Sequence, residues 1–407
     1  MTNHKILRLG VRGDGIADGP VYVPMALPGE MVSGKETDSV LAEMRIIDPS
    51  PDRVSPPCPH YKSCGGCRMQ HASDTLVADW KVQVIKEALS AHGLETSVRP
   101  IINSAPHTRR RASFAARRTK KGAIAGFHAR ASDTLVEIPS CKLLTPNLMK
   151  GLTLSKDLAQ LAASRKSELN LAITDGPNGL DVSVSGGKPL DGPLLIALAG
   201  IADIHDLARL SWDDETVLTR RLPMQVFEGI GVTPSPGAFL QATKDGEEHL
   251  QSEVRSIVSD AKHVLDLFAG CGTFALPLSR NAAVHAIEGD AAMVDAMALS
   301  WRQAQGLKPL QAEVRDLFRN AVLSEDLLAY DAAVIDPPRA GAQAQVAELA
   351  VSKIPSIAYV SCNPASFARD AKCLFDGGYS LDWVQPIDQF RWSAHIELVA
   401  AFRFAIE

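Results

Sequence analysis

From about residue 236 the chain repeats one pattern: an apolar run that stops on Asp, Glu, Gly, Pro or Cys, then a stretch of helical composition. HVLDLFAG, AVHAIEGD, YDAAVIDPP and SIAYVSCNP are four such runs. Strands that alternate with helices pair in parallel, and a parallel sheet needs both faces covered. The pattern predicts a doubly wound α/β domain over 236–407. In such sheets ligands bind in the crevice at the carboxyl ends of the strands. The residues that close each run are therefore where chemistry is expected.

The remainder is organised differently. With 407 residues and 46% apolar content the chain can bury two or three cores. Residues 1–52 alternate short apolar runs with Gly and Pro turns, as a small β-barrel of the kind that binds oligonucleotides does. The Pro cluster DPSPDRVSPP, 48–57, reads as an extended linker. Residues 53–235 read as a mixed α+β domain, with a helix-like run in TLVADWKVQVIKEALSAHG. No internal repeat and no low-complexity tract is present. The N-terminus lacks a signal-peptide core, and no apolar run approaches the roughly 18 residues of a membrane span. The expectation is a cytoplasmic protein with no membrane partner, acting as a monomer.

Seven cysteines dispersed along the chain fit metal binding or nucleophilic chemistry in a reducing compartment better than a disulfide framework. CPHYKSCGGC spaces Cys58, Cys64 and Cys67 as C-x5-C-x2-C, and Cys141 in EIPSCKLL can complete a set of four. Four thiolates hold zinc or an iron–sulfur cluster. Structural zinc usually takes two C-x-x-C pairs, so the three-plus-one spacing favours a cluster. It is also not the C-x3-C-x2-C of the radical enzymes. Cys271 and Cys373 read as packing residues.

The net charge of −5 conceals a polarised segment. Between Thr96 and Ser132 stand Arg99, Arg109, Arg110, Arg111, Arg117, Arg118, Lys120, Lys121 and Arg130, with no Asp or Glu. Phe114, Phe127, His107 and His128 are interleaved, which predicts stacking and phosphate contact on RNA.

In VLDLFAGCGTFALPL a strand runs into Gly270-Cys271-Gly272, and Glu288 closes the next strand. Glycines let a nucleoside cofactor approach the backbone, and the carboxylate accepts from ribose hydroxyls. Phe274 and Ala275 stand where a dinucleotide turn wants its third glycine, which favours S-adenosylmethionine over NAD. Asp336 ends the strand of AVIDPPRAG, and Arg339 replaces the aromatic usual in amino-methyltransferases.

SIAYVSC delivers Cys362 to the same crevice. Methyl transfer to an unactivated carbon, such as carbon 5 of uracil, needs prior electron release into the ring, which a thiolate supplies by adding to carbon 6. A base must then remove the carbon 5 proton. Glu397 in HIELVA, a carboxylate within an apolar strand, is the candidate.

Together, GDGIADG with VPMALPGEMV, CPHYKSCGGC with Cys141, LDLFAGCGTFALPL, DPPRAG, SCNPASFARD and HIELVA resemble the RNA 5-methyluridine methyltransferase family. The resemblance implies an N-terminal TRAM barrel, a central domain with a [4Fe-4S] cluster on Cys58, Cys64, Cys67 and Cys141, and a class I methyltransferase domain. It implies Cys362 as nucleophile, Glu397 as proton acceptor, and contacts to S-adenosyl-L-methionine from Gln241 in FLQAT, Phe268, Glu288 and Asp336, with Asp316 near the adenine. Thr243 and Thr273 stand where the family often has Asn. The implied substrate is a uridine in structured RNA, 23S ribosomal RNA before transfer RNA. A noncatalytic RNA-binding or assembly factor on the same fold is the alternative from another class.

Overall fold

Residues 2–48 close on themselves. In the computed structural model, which describes residues 2–164 and 166–404, the strands Thr2–Leu9, Gly15–Ala17, Val21–Val23, Val40–Asp48 and Met31–Thr37 form a closed barrel in that spatial order. Ile6, Val21, Val23, Val32 and Leu41 fill its interior. Glu30, 0% exposed, fastens the barrel to the Pro-rich segment. Its carboxylate accepts from the backbone N–H of Leu27 (2.8 Å) and Ser50 (3.2 Å) and from the Arg53 guanidinium (2.5 Å). Burial alone would raise its pKa, but these donors outweigh burial and hold the carboxyl below its usual value. The linker is thus clamped at its first turn.

The central sheet has seven strands, ordered Leu135–Val136, Ala123–His128, Arg111–Arg118, Glu168–Gly176, Gly179–Ser185, Arg209–Trp212 and Glu215–Thr219. Helices Gly151–Ala162 and Gly192–Ile204 pack on it. Phe114, Leu154, Leu171, Val182 and Trp212 belong to the core between them.

This sheet corrects the expectation for the basic segment. Residues 111–118 are a strand, so successive side chains point to opposite faces. Phe114 is 0% exposed and its ring lies flat on Phe127, centroids 5.5 Å apart with planes 4° from parallel. The two rings therefore pack on each other and do not form a stacking face for RNA bases. Arg110 is buried in an ion pair with Glu247. Arg99 lies over the Trp383 ring at 3.4 Å and pairs with Glu253, and Arg111 lies over Phe239 at 4.5 Å. Arg118, Lys120 and Lys121, at a hairpin tip, remain exposed.

The C-terminal sheet runs Leu310–Val314, Ala283–Glu288, His263–Leu267, Ala332–Ile335, Ser356–Ser361, Glu397–Phe404, Tyr379–Asp388 and Ser97–Val98, with Ile102–Asn103 also paired to Tyr379–Asp388. The first five strands are parallel and Glu397–Phe404 enters antiparallel. Apolar cores cover both faces, one around Val264, Val334 and Val360, the other around Leu265, Ile335 and Tyr359. This is the doubly wound arrangement that the alternating pattern predicts.

The sheet draws on residues far upstream of 236. Helix Asp74–Ser90 packs against helix Pro364–Asp376 and contributes Ile85 and Leu89 to the second core. Lys81, 1% exposed, donates to Asp388 at 2.6 Å. Phe227, Ile230 and Val232 of the preceding hairpin join the first core. Among the described residues no helix is long and apolar enough to cross a membrane.

Candidate active site

The strand order reverses beside His263–Leu267, whose neighbours are Ala283–Glu288 and Ala332–Ile335. The carboxyl ends of these strands open a crevice there. A cavity of about 560 Å³ occupies it, and Gln241, Phe268, Glu288, Asp316, Asp336, Cys362 and Glu397 all line it. Every candidate catalytic and cofactor residue is thus brought to one place.

Local sequence explains each position. Phe268 has φ +62° and Gly270 φ +56°, so the chain turns sharply as it leaves its strand. For Phe268 this left-handed backbone is strained by about 1–3 kcal/mol. Its ring lies 5.4 Å from Phe318, and the two form one wall. A Cβ on Gly272 (φ +94°) would approach Leu276 to 2.8 Å, so only glycine fits there. Glu288 ends the next strand and accepts from the N–H groups of Gly270 (2.9 Å), Gly289 (2.7 Å) and Asp290 (3.0 Å). Asp316 accepts from the Phe318 N–H at 3.0 Å.

Asp336 follows the strand Ala332–Ile335, and Pro337 and Pro338 hold the loop beyond it. Burial and the nearby Glu288 carboxylate push its pKa up to about 7. The stretch SCNPASFARD ends a strand because Asn363 caps the helix Pro364–Asp376, accepting from the Ala365 N–H at 3.2 Å, while Pro364 takes the first helical position. Cys362 stands on the junction. Asn363 Nδ2 and Ser366 Oγ both donate to the Arg339 carbonyl, at 2.9 and 3.0 Å, which fastens this turn to the Asp336 loop.

The antiparallel register Ser361↔Leu398 brings Glu397, first in its strand, beside Cys362, just past the end of the other. Glu397 is 3% exposed and sits on an inner strand. Burial first, and then the charge of Asp336, push its pKa well above the carboxylate range. Burial, Glu397 and Asp336 push the Cys362 thiol up to about 11, against the pull of Arg339. At neutral pH the thiol keeps its proton until a base takes it, and Asp336, with its pKa of about 7, is the neighbouring carboxylate ionised enough to do so.

A second cavity of about 350 Å³ lies between the central and C-terminal units and is lined by Cys58, Cys64, Cys67 and Cys141. All seven cysteines are free. The Gly66 N–H donates to Cys64 Sγ (3.4 Å) and the Leu143 N–H to Cys141 Sγ (3.5 Å). Burial pushes the Cys67 thiol up to about 12. Among the described residues no group of three or more His, Cys, Asp or Glu is gathered tightly enough to hold a single metal ion. Cys271 is buried in the first core but also lines the larger cavity, and Cys373 is half-buried beside the second core.

Two residues with no signal in the sequence belong to this region. Gln389 is 2% exposed between Gln241 and Glu397, and Phe390 lines both cavities. They lie in IDQFRWSAH, a connection with no motif and no periodicity.

Residues 235–402 match the family described as tRNA (Uracil-5-)-methyltransferase. Nearly the whole chain, 97%, is similar to an uncharacterized RNA methyltransferase of Rhizobium meliloti, at 42% identity over 97% of that protein. The chain belongs to the RNA uracil-5-methyltransferase family. Among its relatives is the 23S rRNA (uracil(1939)-C(5))-methyltransferase RlmD of Shewanella amazonensis, 32% identical over 98% of this chain and 94% of that one. The fold is shared with the crystal structure of Pyrococcus abyssi tRNA (uracil-54, C5)-methyltransferase in complex with S-adenosyl-L-homocysteine (TM-score 0.77, 22% identity, 98% of this chain and 99% of that one).

Proposed function

We propose that this protein transfers a methyl group from S-adenosylmethionine to carbon 5 of a uridine in structured RNA, with Cys362 as covalent nucleophile and Glu397 as the base. The observation that carries the reading is the meeting of Cys362 and Glu397 at the ends of adjacent strands, inside the cavity that Glu288 and the glycine turn also line.

The cavity fits the cofactor. Five carboxylates and two guanidinium groups line it, which favours a cationic ligand. The wall of Phe268 and Phe318 offers an apolar slot for a base, and Glu288 and Asp316 offer acceptors for hydroxyl and amino groups. When bound, S-adenosylmethionine supplies an electrophilic methyl group on a sulfonium. The other steps belong to this chain. Cys362 gives its proton to a neighbouring carboxylate and its sulfur adds to carbon 6 of the uracil. The displaced electrons pass into the ring enolate, which makes carbon 5 nucleophilic. Once carbon 5 is methylated, Glu397 removes its proton, the 5,6 double bond re-forms, and the sulfur leaves as thiolate.

A pH dependence follows from Asp336. A cationic ligand favours its ionised form, so below its pKa of about 7 binding must expel a proton. Affinity for S-adenosylmethionine is expected to rise with pH, by up to about tenfold per unit, through the range in which Asp336 ionises. Calorimetric titrations across this range check it, and Asp336→Asn is expected to bind more weakly with a flatter profile.

Cys58, Cys64, Cys67 and Cys141 fit a [4Fe-4S] cluster better than a zinc ion, because four sulfurs around one cavity suit a cube and not a point. Burial raises the Cys64 and Cys141 thiols, and the N–H donors to them, with the Arg109 guanidinium near Cys141, offset part of that rise. These four residues would hold the cluster, which would tie the segment Cys58–Cys67 to the one around Cys141 beside the C-terminal unit.

The 32% identity to a 23S rRNA enzyme over almost the entire length supports ribosomal RNA as substrate; the family description supports transfer RNA as the second reading. Extruding the target base costs a few kcal/mol. The exposed Lys5, Arg8 and Arg12 of the barrel would offset this through phosphate contacts, so binding should weaken steeply with salt. Nucleoside mass mapping of RNA from cells with and without the gene tests the proposal. Loss of 5-methyluridine at one 23S position is expected, and unchanged maps of both RNA classes would overturn it.

A further inference from the structure

Gln389 follows directly on the strand Tyr379–Asp388, in the connection that leads to Glu397. Its side-chain amide uses both of its polar atoms within the protein. Oε1 accepts from the backbone N–H of Ala242 (2.8 Å) and Thr243 (3.3 Å). Nε2 donates to Gln241 Oε1 (2.6 Å) and to Glu397 Oε2 (3.4 Å). The orientation of the amide is fixed by chemistry: two backbone N–H groups can only donate, so the oxygen must face them and the NH2 must face Gln241 and Glu397. The preceding Asp388 is itself anchored, accepting from Lys81 (2.6 Å) and from the Phe390 N–H (2.9 Å).

We propose that Gln389 is a positioning residue for proton removal, a single amide that holds the Glu397 carboxylate and the Gln241 amide in fixed relation. The inference rests on the reading of Glu397 as the base. A donor aimed at a buried carboxylate favours its ionised form, the form that takes a proton. With Gln241 held as an acceptor toward Gln389, its own NH2 is left for a ligand in the cavity. Gln389 thus links the cofactor side of the site to the base without touching the reacting atoms.

The test is Gln389→Met, which keeps the length of the side chain and removes all four bonds. Gln389→Asn is run beside it, retaining an amide too short to span both partners and preserving the test if the Met variant does not fold. The probe is total RNA from a strain lacking the gene, with methyl-labelled S-adenosylmethionine. Both variants are expected to lower kcat by about 10–100-fold, a part of what a general base supplies. They should also raise the KM for the cofactor and increase the fraction of protein migrating as a methylated covalent RNA adduct on a denaturing gel. Loss of rate with the wild-type adduct fraction and wild-type KM would mean a merely structural role and overturn the inference, as would unchanged kinetics. Glu397→Gln is carried in parallel. If it traps no adduct, the base reading itself is wrong. If it traps adduct and the Gln389 variants do not, only the positioning role fails.

Discussion

Cys362→Ala is expected to abolish methyl transfer to RNA while leaving cofactor binding intact. Removal of a covalent nucleophile acts on the scale of about 10⁴–10⁶ in rate, because the uracil ring then has no route to a nucleophilic carbon 5. The substitution is small and the site half-buried, so the fold should persist. Methyl-labelled cofactor incubated with RNA reads the incorporation, and calorimetry with S-adenosylmethionine reads the binding. Retained incorporation into 5-methyluridine would remove the nucleophile role. Loss of binding together with activity would move Cys362 to the cofactor.

The second large effect is expected at Glu397. Gln in its place keeps the shape of a side chain that is 3% exposed and cannot accept a proton. Sulfur addition and methylation should still occur, and the product should stay attached, visible as a shifted band on a denaturing gel. Turnover should fall by about 10²–10⁴-fold. Turnover at the full rate would show that another group removes the proton.

What could be seen in the sequence was whatever the backbone itself demands. Gly272 has no room for a Cβ, Asp336 is fixed by the prolines after it, and Cys362 precedes an Asn cap and a helix-starting Pro. Such positions accept few residue types, so their chemistry can be read from spacing. Gln389 is different, since its role depends on Gln241 and Glu397 lying beside it in space, 148 and 8 residues away in sequence. The basic segment misleads for a related reason. A count of charges does not tell which side chains turn inward, and in Arg111–Arg118 Phe114, Ala115 and Ala116 are buried while Arg117 pairs with Glu168 and Arg118 stays in solvent. Strands of two residues such as Ser97–Val98 are too short to show any alternation.

Those two short strands carry a practical consequence. They cap the rim of the C-terminal sheet along Tyr379–Asp388, while the Asp74–Ser90 helix roofs one of its faces. A truncation beginning at 236 would strip away both, leaving an open ribbon ready to recruit a neighbouring chain and a bare apolar surface above it. A minimal soluble enzyme therefore has to start upstream of Asp74, and the methyl-transferring half is not a detachable cassette.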